Sequence, residues 1–212
     1  MKKIFILICM IMFFRQIHAQ TIVEKHLSFS QKNSVVLNIQ IADSIRIIPW
    51  NQNEVYVWAS VNINNNKDND KYLWTFNESG TRIEIGAKYA DKQFWSRSSD
   101  NCCCCESEIY CEVHIPENAD ISVESISGNL IISGKTSNVK AKTISGFIDM
   151  TVSPDRKADL EFKTITGTVY TNIDMNPGNE HKSGISNFTG SINGGGNPIS
   201  LETISGDIYL RK

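Results

Sequence analysis

After its N-terminal segment this 212-residue chain has no second apolar run of membrane length, no cluster of basic residues and none of the common catalytic fingerprints. Without a basic patch, and with 21 Lys and Arg against 23 Asp and Glu, nucleic acid and anionic lipid are poor partners. Without HExxH, GxSxG, a phosphate loop or a dinucleotide turn, the familiar hydrolase and nucleotide chemistries have no anchor. His26, His114 and His181 do not stand at ligand spacing from one another and read as solvated strand or loop residues.

The one long apolar run, Ile4 to Phe14, follows Lys2 and Lys3 and is too short to span a bilayer comfortably. It leads into RQIHAQ, with the small Ala19 near its end. This pattern predicts a secretory signal peptide over residues 1–19, cut between Ala19 and Gln20. The alternative is an uncleaved anchor, since Ile17 stands where a smaller residue is usual. Loss of Lys2, Lys3 and Arg15 takes the formal net charge from −2 to −5. The exported product is expected to be soluble or peripherally held, with no integral membrane segment after cleavage.

What the chain has in abundance is repetition. ESISG, KTISG, KTITG, SNFTG and ETISG align on Ile126, Ile144, Ile165, Phe188 and Ile204. Apolar residues recur five and three positions before these anchors and four and six positions after them, and glycine always stands two after (Gly128, Gly146, Gly167, Gly190, Gly206). Ser183, Thr171 and Gly194 break the template.

Within a copy the alternation is that of half-buried strands. The parity changes between the position three before the anchor and the anchor itself, which requires a corner or bulge. Glycine would supply the backbone freedom there, and the hydroxyl just before it (Ser127, Ser145, Thr166, Thr189, Ser205) would satisfy freed backbone groups. Stacked neighbours would then share one core.

The predicted fold is all-β: a single-stranded, β-helix-like β-solenoid of about five coils, roughly 20 to 25 Å tall at strand spacing. SPDRKAD and DMNPGNEHKSG are read as insertions between coils. Residues 117–212 would form the repeat solenoid, and residues 20–116 an irregular β-rich part capping it, with 20–212 continuous as one domain. In that first part VVLNIQIADSIRIIPW and NEVYVWASVNI alternate, YLWTFNESGTRIEIGAKY reads as a hairpin about Glu78 to Gly80, and EIYCEVHIP places Cys111 on a buried face with Ile109, Val113 and Ile115.

IADSIRIIPWNQNEVYVWASVN, EVHIPENADISVESISGNL and the serial TISG turns resemble the bacterial putative-adhesin family, a domain of unknown function in exported or envelope-associated proteins. The resemblance covers roughly residues 35 to 212. It implies a β-solenoid without known catalytic residues and a role in adhesion or envelope biology, in the periplasm or on the surface of a bacterium. No cofactor is implied.

Function on such a scaffold would sit on outward columns. The column two before the anchors reads Glu124, Lys142, Lys163, Ser186 and Glu202, and Glu124 with Lys142 suggests a cross-strand charge pair. Asp149 and Asp207 fall in different columns on coils expected not to touch, so paired-carboxylate catalysis has little support. Five after the anchors stand Ile131, Asp149, Tyr170, Asn193 and Tyr209, with Phe147 beside them. Ile131, Phe147, Tyr170 and Tyr209 are the candidate binding face, since rings on a rigid sheet can stack on sugars or on another protein. Scattered exposed aromatics are also ordinary on strands. The last coil ends at Leu210 with no sequence left for a cap, so self-association through a C-terminal coil edge is expected.

Four consecutive cysteines, Cys102, Cys103, Cys104 and Cys105, precede the repeats. An oxidising compartment favours disulfides, but adjacent cysteines close only a strained ring, so spaced pairs such as Cys102 with Cys104 or Cys105, or bridges to another chain, fit better. A soft ion such as Cu(I) is the metal alternative; zinc usually wants thiols from separate loops. The reading is a non-enzymatic, adhesin-like envelope or cell-surface protein that binds a carbohydrate or protein, with no nucleic acid partner. The alternative is a structural or sensory scaffold that self-associates and uses the cysteine loop for cross-linking or soft-metal capture.

Overall fold

Alternating apolar and polar side chains carry most of the described residues into strands with one buried face. The computed structural model describes residues 20–91, 106–183 and 185–212. The expected signal peptide lies outside the described residues, and so do Cys102, Cys103, Cys104 and Cys105, with the disulfide and soft-metal expectations attached to them. In chain order the strands are β1 (Thr21–Ser28), β2 (Ser34–Ile39), β3 (Ile41–Trp50), β4 (Glu54–Ile63), β5 (Tyr72–Ser79), β6 (Arg82–Tyr89), β7 (Ser107–Pro116), β8 (Asp120–Ile132), β9 (Val139–Ser145), β10 (Ile148–Thr151), β11 (Ala158–Thr164), β12 (Val169–Thr171), β13 (Asn176–Ser183), β14 (Ile185–Ile192), β15 (Ile199–Ser205) and β16 (Ile208–Arg211).

They pair in two lateral runs. One is β5-β6-β2-β8-β9-β15-β11-β14-β13, and the other is β1-β4-β7-β3-β8-β10-β16-β12. The long β8 belongs to both: its first half lies between β2 and β9, and its second half between β3 and β10. Inward side chains of both runs, such as Leu37, Ile45, Val123, Leu130, Ala141, Ile148, Leu201 and Ile208, form one buried cluster. The architecture is therefore all-β, open at its edges and solenoid-like. Truncating a buried leucine or isoleucine of this cluster to alanine costs about 2 to 5 kcal/mol.

The repeats do not stack in chain order. β15 lies between β9 and β11, and β16 between β10 and β12, so the last repeat is inserted between the second and the third. This corrects the expected C-terminal coil edge: the final strands are paired on both sides, and among the described residues the unpaired edges belong to β1, β5, β12 and β13. Self-association through a C-terminal coil loses its premise.

The fourth repeat is a second correction. β14 carries SNFTG but runs antiparallel to β11, with Phe188 opposite Phe162 and their rings stacked at 5.9 Å. The segment read as an insertion before it is largely strand β13, which forms a hairpin with β14. Ser183 and Gly194, two of the three template failures, mark this copy. Conversely, β2 and β3 hold no TISG yet stack in parallel on β8: Val35, Leu37, Ile45 and Ile47 stand opposite Ile121, Val123, Leu130 and Ile132. One extra residue, at a register shift between Ile41 and Ser44, hides this correspondence in the sequence.

The corner chemistry also differs from expectation. Fully buried hydroxyls stand one residue before the anchors. Thr143 donates to the Gly128 carbonyl at 3.2 Å, Thr203 to Gly146 at 3.2 Å and Thr164 to Gly206 at 3.1 Å. Each hydroxyl thus caps the carbonyl of the preceding row in space. Ser127, Ser145 and Ser205 face solvent; Thr166 reaches a carbonyl, that of Ile204 at 3.2 Å. A Cβ on Gly146 or Gly206 would collide with the glycine carbonyl of the adjoining row, and both residues have positive φ (138° and 153°).

Other expectations hold. β5 and β6 form the hairpin, with its turn at Gly80. Cys111 is a buried free thiol whose pKa burial pushes upward, facing Ala59 and Ile45 on neighbouring strands.

Candidate binding face

Interleaving brings residues from distant repeats into one outward column of the second run. In register stand Arg46, Ile131, Asp149, Tyr209 and Tyr170. Tyr209 and Tyr170 stack with ring centroids 5.1 Å apart and planes 11° from parallel. Phe147 meets Tyr209 edge-on at 6.2 Å. Three of the four predicted residues therefore form one patch at the β12 edge. Ile131 does not join it, because Asp149 stands between Ile131 and Tyr209. Asn193 leaves the column: it sits beyond β14 and donates its side-chain amide to the Pro154 and Arg156 carbonyls at 2.9 and 2.7 Å.

Polar groups fix the rings. Tyr209 donates its hydroxyl to Asp207 at 3.2 Å, while the other Asp207 oxygen accepts the Thr168 amide at 2.8 Å. Desolvation, then the Asp207 carboxylate, hold the Tyr209 hydroxyl above the ordinary phenol pKa. The Arg211 guanidinium grips both oxygens of Asp149 and lies 6.0 Å from the Tyr209 ring centre. Asp149 lies on β10 and Asp207 in the corner that leads into the adjacent β16, contrary to the expectation from chain order, and each carboxylate is already engaged. Tyr170 remains 49% exposed, so its free ring face is the accessible end of the stack.

On the facing run, the charge column is rearranged in the same way. It reads Glu124, Lys142, Glu202 and Lys163 in register. Lys142 opposes Glu124, as expected, but its ion pair is with Glu202 at 2.9 Å. That hydrogen bond raises the Lys142 pKa.

A second aromatic cluster was not legible in the sequence. His26, Tyr56 and His114 lie side by side on β1, β4 and β7, with Tyr56 centred 4.7 Å from His26 and 5.8 Å from His114. Trp50 packs on His114 at 5.0 Å. Glu54 and Glu112 pair with the two histidines at 3.3 and 2.7 Å. These residues alternate outward on strands far apart in the chain, so neither spacing nor motif joins them. Among the described residues, no group of three or more His, Cys, Asp or Glu gathers tightly enough to hold a metal ion; Cys102, Cys103, Cys104 and Cys105 are not among those residues.

Residues 117–211 match the model of the family described as Toastrack DUF4097. A comparison with curated proteins finds no match. The crystal structure of a putative cell adhesion protein from Clostridium sporogenes is similar with a TM-score of 0.60 at 9% identity, over 91% of this chain and 99% of that one. A putative lipid binding protein from Parabacteroides distasonis gives a TM-score of 0.31 at 9% identity, over 91% of this chain and 97% of that one. A putative adhesin from Bacteroides fragilis gives 0.28 at 9% identity, over 92% and 98%. The first of these shows a shared fold. Among the described residues, no helix is long and apolar enough to cross a membrane.

Proposed function

Because residues 117–211 match the Toastrack family of domains of unknown function, we propose that the chain acts as an exported, non-enzymatic, adhesin-like protein of the bacterial envelope or cell surface. It holds a carbohydrate or protein partner on the aromatic end of the second run. The carrying observation is the Tyr170 and Tyr209 stack buttressed by Phe147, with Asp207 and the Asp149–Arg211 pair beside it. An aromatic face gives a sugar ring or an apolar side chain a flat platform, and the neighbouring carboxylates and guanidinium offer hydrogen bonds at its rim.

Strand pairing and the polar groups around the rings organise the platform before a ligand arrives. The adhesion-related name of the Clostridium sporogenes protein agrees with this reading. Export rests on the leader sequence, and residues 20–212 are taken as one continuous domain because one core cluster runs through both halves.

Retention on a glycan array and on immobilised envelope proteins tests the reading. Tyr170→Ser with Tyr209→Ser should abolish retention while the melting profile stays cooperative. Undiminished retention by that folded variant would remove the aromatic stack from the account.

A further inference from the structure

The anchor isoleucine of each stacked TISG repeat has no partner in the core. Ile126, Ile144, Ile204 and Ile165 are 47%, 42%, 37% and 51% exposed, although the residue just before each is a buried threonine or serine. The strand register lays them in that order along one corner, in four successive rows. Folding does not require isoleucine at an exposed corner. A continuous apolar ridge on an otherwise polar edge marks a contact surface.

The ridge has a charged flank. Two residues before each isoleucine, facing the same way, stand Glu124, Lys142, Glu202 and Lys163, and in register beyond the two ends stand Asn38 and Asn187. The order is Asn, Glu, Lys, Glu, Lys, Asn. Read backwards, every glutamate meets a lysine and every asparagine an asparagine. A column of this kind is complementary to itself when two copies are laid antiparallel. Laid parallel, it would place like charges opposite each other.

We propose that this corner is a homodimer interface, in which a second copy of the chain docks antiparallel across the isoleucine ridge. The two-fold axis lies in the interface along the strand direction, between the Ile144 and Ile204 rows. Ile144 packs on Ile204 of the second copy, and Ile126 on Ile165. On the flank Glu124 faces Lys163, and Lys142 faces Glu202, each twice by symmetry. The ridge is small against the ~800 Å² per partner of a standard interface, so the corner serines and the charge column complete the rim and the dimer is weak. The aromatic patch of the proposed function lies on the other run and stays free, so the two readings stand or fall separately.

Sedimentation equilibrium of the purified chain tests this, in a reducing buffer so that Cys102, Cys103, Cys104 and Cys105 cannot cross-link copies. The wild type should dimerise with concentration. Ile144→Asp with Ile204→Asp should leave a folded monomer, as should the milder Ile144→Ser with Ile204→Ser. Lys142→Glu alone turns two attractive rows repulsive and should weaken the dimer roughly tenfold or more. Adding Glu202→Lys to Lys142→Glu restores complementarity in the antiparallel arrangement only, and should bring the dimer back to within about threefold of wild type. A wild type that stays monomeric at the highest attainable concentration would overturn the proposal. So would a dimer indifferent to both isoleucine pairs, or a double charge exchange no better than Lys142→Glu alone.

Discussion

The β2–β3 segment and the β14 repeat make opposite use of the same rules. β14 carries the motif, with Phe188 at the anchor and Gly190 two after it, yet it lies antiparallel on β11. β2 and β3 lack the motif and still stack in parallel on β8. The difference teaches that parallel stacking follows the inward positions on both sides of the corner, not the motif; the third repeat still stacks in parallel with one of its four lost, at Thr171. β14 has lost the outer position on each side, at Ser183 and Gly194, whereas β2–β3 keeps all four as Val35, Leu37, Ile45 and Ile47. Glycine serves another purpose, which is to make room for the carbonyl of the adjoining row.

The largest break in this comparison should come from the glycine rows. Gly206→Ala drives a Cβ into the Gly146 backbone at a positive φ, and should cost about 3 kcal/mol or more in urea denaturation. Gly80→Ala, with φ of 52° but open space around it, should cost only about 1 to 2 kcal/mol. Equal costs would mean that backbone conformation, not the neighbouring carbonyl, selects glycine.

Next come the polar groups that finish each corner. Thr203→Val removes the hydroxyl on the Gly146 carbonyl and should cost about 1 to 2 kcal/mol. At the corner of the motif-free segment, Asp43 accepts the Ile109 amide at 2.7 Å. Asp43→Ala strands that amide and should cost a similar 1 to 2 kcal/mol or so. A silent Asp43→Ala would show that this corner needs no such group.

The smallest effect concerns Glu161, whose pKa is lowered first by the hydrogen bond from Lys163 and further by Ser200 of the inserted repeat. A carboxylate depressed in the folded state adds stability above its unfolded pKa, and that contribution fades as pH falls through the folded value. The stability gap between wild type and Glu161→Gln should therefore close as pH falls below the ordinary glutamate pKa of about 4.3. A gap that widened on acidification would contradict the assigned direction.

Local chemistry was legible and global order was not. Period-two alternation identified the strands, the hairpin at Gly80 and the buried Cys111, because each depends on a few consecutive residues. Row order is invisible at that range: apart from Thr171, the inward template positions of the second, third and fifth repeats are all apolar, so any of them fits against any other. The β13–β14 hairpin occupies the outer side of β11, and the last repeat takes the place on its inner side. The failures at Ser183 and Gly194 were the available signal that the fourth copy does not stack. The His26, Tyr56 and His114 cluster joins three strands from separate parts of the chain and had no local mark. The candidate face was half legible, since its rings were identified but their neighbours depend on the row order.

Both the Tyr170–Tyr209 stack and the alternating charge column exist only if the last repeat is inserted between the second and the third. In-register Ser145 and Ser205 are exposed neighbours on β9 and β15, while Ser145 and Thr166 are separated by an intervening row. Disulfide trapping decides the order directly, in a chain whose Cys102, Cys103, Cys104 and Cys105 are replaced by serine. Ser145→Cys with Ser205→Cys should oxidise rapidly within one chain, and Ser145→Cys with Thr166→Cys should not, since a Cα separation beyond about 7 Å forbids the bond. The reverse outcome would place the repeats in chain order and contradict the account.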